Sequence, residues 1–149
     1  MPLGFIFILM GFLAGGLVSV QGIINGRLSH FIGGPTQAAL VSFSVGCLFL
    51  VFVNLVTRRS IPTLAEASAA PWWAWTGGFF GALVVTSAAL IIPKVGIASW
   101  TASIITGSLV FALWLDHIGA FGQLSREINF MRVVGASFLL LGVYIIRRF

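Results

Sequence analysis

The sequence predicts an all-α integral membrane protein of five transmembrane helices, and three observations lead to that class. Of the 149 residues, 59% are hydrophobic and 7% are charged, whereas about a quarter of a soluble domain is charged. Mean hydropathy is +1.11. The apolar residues also fall into five runs, each near the ~20 residues that a helix needs to cross a ~30 Å hydrocarbon core. The intervening segments are too short to hold an extramembrane domain, so residues 1–149 read as a single membrane domain.

The first span is expected over 3–26. Met1-Pro2-Leu3-Gly4 supplies neither a basic leader nor a small-residue cleavage site, so this run reads as a helix that stays in the membrane and not as a signal peptide. The second is expected over 36–57. The third, 72–92, opens on Trp72, Trp73 and Trp75 beside Pro71, and such amphipathic rings favour the headgroup region. Only Pro93 and Lys94 divide it from the fourth, 95–115. One helix over 72–115 would be ~66 Å long at ~1.5 Å per residue, twice the core thickness, so a tight turn is predicted at Ile92-Pro93-Lys94-Val95-Gly96. The fifth run, 130–147, contains Arg132, which leaves Val133 to Ile146 free of charge; a snorkelling guanidinium accommodates this. Residues 58–71 and 116–129 are the two polar loops of any size.

Eight basic and three acidic side chains give a net charge of +5 and a pI near 11.3. The basicity reflects scarce acids and not a phosphate-binding face, because Arg27, Arg58, Arg59, Lys94, Arg126, Arg132, Arg147 and Arg148 lie between or at the ends of apolar runs. No nucleic-acid partner is expected. A lone Cys47 makes no intrachain disulfide, and no Cys/His cluster has metal-ligand spacing, so neither metal nor cofactor is expected. Nor does any nucleophile have a base at suggestive spacing, which argues against an enzyme.

Five spans divide the cations evenly. Arg58, Arg59, Arg126 and Arg132 fall on one side, and Arg27, Lys94, Arg147 and Arg148 on the other. Orientation follows the Lys/Arg imbalance of short loops, so a tie predicts insertion both ways. Inverted repeats that meet at a midplane site are a common transporter plan, and a dual-topology chain could supply both as an antiparallel homodimer of ten helices. Small residues at three- or four-residue spacing permit close helix approach. Gly11, Gly15 and Gly22 in the first helix, Gly77 and Gly81 in the third and Gly107 in the fourth are the candidates, for packing within the chain or between copies.

No Asp, Glu, Lys or Arg occupies the centre of a span, which disfavours a cation exporter coupled through a membrane carboxylate. The interior offers neutral groups. Gln21 and Asn25 lie four apart and share a helix face; amides in hydrocarbon must be hydrogen-bonded or meet water, so these two either line a solute path or bond a neighbouring helix. Ser42, Ser44, Ser99, Thr101, Ser103 and Thr106 could serve a path or satisfy their own backbone carbonyls. Trp100 could wall a cavity or anchor at the interface. Asp116 and His117 close the fourth helix as a gate or coupling pair, or simply as a solvated helix end. Cys47 reads most simply as a small apolar group.

Several ordered motifs resemble the small five-helix YdcZ-type family of the drug/metabolite transporter superfamily. They are Gln21-x3-Asn25-x2-Leu28 with Gly34-Pro35, Ser42-Phe43-x2-Gly46, Pro71-Trp72-Trp73-x-Trp75-x-Gly77-Gly78-x2-Gly81, Leu115-Asp116-His117-x-Gly119, and Arg132-x2-Gly135 with Gly142. The resemblance spans nearly the whole chain. It implies the bacterial inner membrane, one five-helix repeat of a ten-helix fold, and function in oppositely oriented pairs, either with itself or with a sister five-helix subunit. One departure is Ser108 after Gly107, where the family pattern has a glutamine. The expected function is a secondary transporter moving a small organic solute by alternating access, with Gln21, Asn25, Ser42, Phe43, Trp100 and Ser103 near its path. A small dual-topology anion channel and a non-transporting assembly subunit are the alternatives.

Overall fold

The computed structural model describes residues 2–58, 62–122 and 125–148; Arg59, one of the eight cations, and short pieces of the two polar loops lie outside them. The described elements are all helical: α1 (Pro2–Ser29), α2 (Pro35–Val56), α3 (Leu64–Ala69), a 3-10 turn (Trp72–Thr76), α4 (Gly77–Val95), α5 (Ile97–Ile118), a 3-10 turn (Ala120–Gly122) and α6 (Phe130–Arg148). Hydrocarbon cannot hydrogen-bond a backbone, so a long apolar run satisfies its amides internally as a helix. Four helices are long and apolar enough to cross a membrane: Gly4–Ser29, Pro35–Val56, Trp72–Val95 and Ile97–Ile118. The apolar part of α6, Phe130–Ile146, is shorter.

Helix boundaries depart from expectation in three places. First, α1 runs on to Ser29, whose hydroxyl donates to the Gly26 carbonyl at 2.7 Å. Second, the turn predicted around Pro93 is a break at Gly96 alone, with φ +84°. Pro93 lies inside α4, which continues to Val95. Proline lacks the N–H that would bond four residues back, but its fixed φ is helical, and one turn from a helix end that single loss does not terminate the helix. The break comes where only glycine tolerates the backbone. Third, 58–71 is not all loop. Thr63 caps α3 by accepting from the Glu66 N–H at 3.3 Å, and the Glu66 carboxylate accepts from the Thr63 N–H at 2.8 Å. The spacing Thr-x-x-Glu is a capping box, a signal that was there to be read.

Two compact units divide the chain, Met1–Lys94 and Val95–Phe149. In the first, α1 lies along α2. Ala38 and Ala39 are 0% and 3% exposed, and Ala88, Ala89 and Ile92 of α4 are also buried. A methyl at Gly26 would be 3.4 Å from Pro93, so α4 reaches α1 there. Apart from Ile92, the buried apolar residues described are all alanine. Lipid is as apolar as leucine, so close backbone approach through small residues is what holds such helices together. Large side chains such as Phe5, Leu48, Phe52 and Phe79 point outward and are exposed.

In the second unit α5 pairs with α6, with Thr106 and Ala136 buried. Asn129 caps α6, its Oδ1 accepting from the Arg132 N–H at 2.9 Å. Gly119, in the left-handed region at φ +59°, closes α5.

Candidate functional site

The first unit gathers polar groups on the facing sides of α1 and α2. Gln21 and Asn25 lie one turn apart on α1, and the Ser42 hydroxyl lies opposite on α2. Asn25 Nδ2 donates to Ser42 Oγ at 3.2 Å and Gln21 Nε2 donates to the same oxygen at 3.4 Å. Ser42 thus accepts from both amides, and a hydroxyl has two acceptor lone pairs and one donor proton. Its proton is not spent on the backbone among the described bonds. In contrast, Ser44, Ser103, Ser108 and Ser137 donate to the carbonyl four residues back, the ordinary fate of a helical serine in apolar surroundings.

Two of these three residues face a cavity. A groove of about 810 Å³ is bordered by Gln21, Ser42, Phe43 and Gly46 at one end and by Asn54, Leu55 and Pro62 at the other. That volume lies within the ~300–1,000 Å³ of small-molecule sites. Asn25, only 3% exposed, stands behind Ser42 and not on the wall. It fixes the hydroxyl and leaves Gln21, which is exposed, to meet whatever enters. Phe43 is 40% exposed and borders the groove while its ring lies against α4: a methyl at Gly81 would be 3.2 Å from Phe43 Cζ. Gly81 therefore admits the ring. Sequence reasoning did not anticipate Asn54, whose Nδ2 donates to the Leu50 carbonyl at 2.8 Å; as an amide within an apolar run, it carried the same signal that singled out Gln21.

The other candidate glycines divide by their surroundings. Gly22 is buried in the first unit. Among the described residues, a methyl at Gly11, Gly15, Gly77 or Gly107 would meet nothing within 4 Å.

The second unit holds the remaining candidates. Trp100 is half-buried near the start of α5. Ser103 is exposed, and its hydroxyl donates to the Ser99 carbonyl at 2.8 Å. Asp116 pairs with Arg132, Oδ2 to Nη1 at 3.7 Å, with both side chains partly exposed. The polar loop folds back on this end of α5: the Arg126 N–H donates to the Asp116 carbonyl at 2.8 Å, and the Ser125 hydroxyl donates to the His117 carbonyl at 2.9 Å. The acid thus faces a guanidinium on the next helix, while His117 is exposed.

A second, smaller cavity of about 200 Å³ in the first unit is bordered by Gly26, Arg27, His30 and Pro93. The Arg27 guanidinium lies over the Phe31 ring, 5.8 Å from its centre, a cation–π distance.

Among known proteins, one family model matches residues 6–145; its description is "Putative inner membrane exporter, YdcZ". No match was found among curated proteins or among solved structures.

Proposed function

The chain belongs to the YdcZ family of inner membrane exporters, and from that premise we propose that it moves a small organic solute across the inner membrane by alternating access, working as an antiparallel dual-topology dimer. Multi-pass insertion is given by its apolar helices together with the family, and the family's description is that of an inner membrane exporter. The observation that carries the solute reading is the uncommitted Ser42 hydroxyl, held by two amides at the wall of a groove of about 810 Å³. A neutral donor and acceptor in apolar surroundings can orient a solute without a fixed charge.

The dimer reading takes α6 as a fifth span. It is supported by the even split of cations that follows and by glycines at which, among the described residues, a methyl would meet nothing within 4 Å. Alternating access needs two halves around the site, and a second copy in the opposite orientation supplies the other half; a sister five-helix subunit would do the same.

The test is reconstitution. Solutes that raise the apparent Tm of the purified protein are loaded into proteoliposomes, and saturable flux with acceleration by the same solute on the far side is expected. Ion currents beyond the rate of a rocking transporter would instead favour the channel, and no flux under any gradient would leave an assembly subunit.

A further inference from the structure

The groove between Ser42 and Leu55 has dimensions and chemistry that narrow its occupant. Both residues lie on α2, thirteen positions apart, which at ~1.5 Å per residue makes the groove about 20 Å long. A volume of about 810 Å³ over that length corresponds to a mean cross-section of about 40 Å², so the groove is longer than it is wide. The polar groups lie at its two ends. At the inner end are the Ser42 proton and the Gln21 amide. At the outer end is Asn54, which gives one of its two amide N–H groups to the Leu50 carbonyl. Between them the wall is Gly46, Cys47, Leu50 and Val51. No Asp, Glu, Lys, Arg or His borders it among the described residues, so the described wall offers a charged group no partner of opposite sign in exchange for its hydration. Leu50 and Val51 are 60% and 50% exposed, which leaves the slot open along its side.

We infer that this groove binds an elongated, uncharged amphiphile, with its hydrogen-bonding head at Gln21 and Ser42 and its apolar chain along Cys47 and Leu50. This rests on the solute reading above and specifies its substrate class. Asn25 is a positioning residue for the head site, because it touches Ser42 and not the groove.

Cys47 is the single cysteine of the chain and borders the slot, so the protein carries its own reporter. The full chain in nanodiscs is labelled with a maleimide in the presence of four probes: decanamide, acetamide, decyl sulfate and decyltrimethylammonium. Decanamide is expected to slow Cys47 labelling, and the two charged isosteres and the short amide are not. Ser42→Ala is expected to raise the decanamide concentration needed about tenfold, the usual worth of one neutral hydrogen bond. Ser44→Ala is expected to change nothing, since Ser44 bonds its own helix. Labelling without probe reports whether each variant keeps the native groove, and Gln21→Leu provides a second variant at the head. Equal protection by a charged isostere or by acetamide overturns the inference, as does protection that survives both Ser42→Ala and Gln21→Leu. Decanamide protection without flux of any solute would remove the transport reading and keep the binding class; flux of a charged solute without decanamide protection would do the reverse.

Discussion

Asn25 and Gln21 show how burial distributes roles among residues that look alike in sequence. Both amides on α1 are polar groups on one face, yet Asn25 is 3% exposed and Gln21 is exposed. The difference comes from depth along the contact with α2: Asn25 lies nearer the tight end of α1, where Ser29 and Gly26 are also buried. Its bond to Ser42 is therefore structural as well as orienting. Asn25→Ala should lower stability by about 1 kcal/mol, the scale of hydrogen bonds between membrane helices. Thermal unfolding of the purified variant checks this, and an unchanged Tm would mean that the bond contributes nothing net. Gln21 and Ser42 could be singled out from sequence because amides and hydroxyls are conspicuous in apolar runs. Which of them faces a cavity could not, since periodicity places residues on a face without saying how close the neighbouring helix comes.

At the scale of elements, the turn between α4 and α5 narrows from five residues to one. The turn is expected over Ile92-Pro93-Lys94-Val95-Gly96, and within that segment the helix passes through Pro93 and stops before Gly96, whose backbone at φ +84° and ψ 156° is a region open almost only to glycine. Gly96→Ala should cost about 1–3 kcal/mol, read as a fall in Tm, whereas the same change at Gly26, with neighbours at ordinary contact distance, should be tolerated. The short helix α3 offers a pH prediction. Hydrogen bonds from the Thr63 N–H, and then from its hydroxyl, hold the Glu66 carboxyl below the usual carboxylate range. A group whose folded pKa is lowered contributes stability above its unfolded value and loses it as pH falls through the folded value. The protection factor of the Ala67 amide, which donates to the Thr63 carbonyl, should therefore fall as the medium is acidified through that range, once its exchange rate is referred to the intrinsic rate at each pH, and Glu66→Gln should remove most of this pH dependence.

For the whole molecule, the decisive quantity is the cation count on each side of the membrane. Arg27 and Lys94 stand at the ends of α1 and α4, and Arg58 follows α2. With a fifth span, four cations fall on each side, and a reporter fused to the C-terminus should be active on both faces of the membrane. Adding two arginines to one polar loop should drive it to a single face. A reporter active on one face in the unaltered chain would exclude dual topology and leave the sister-subunit pairing. If five helices do act in pairs, Gly11, Gly15, Gly77 and Gly107 are candidates for close approach between copies, since among the described residues a methyl there would meet nothing within 4 Å.

Composition and hydropathy alone determined the membrane location, the helical class and the approximate spans, because a hydrocarbon solvent leaves a backbone so few ways to satisfy its amides. The family could be recognised from its ordered motifs for the same chain-local reason. Tertiary structure decided what no spacing encodes. It set Asn25 behind Ser42 and Gln21 beside the groove, fitted Phe43 against Gly81, and paired Asp116 with Arg132 and not with His117. Each of these depends on the distance between helices, and in a core built of alanine and glycine that distance is set jointly by both partners.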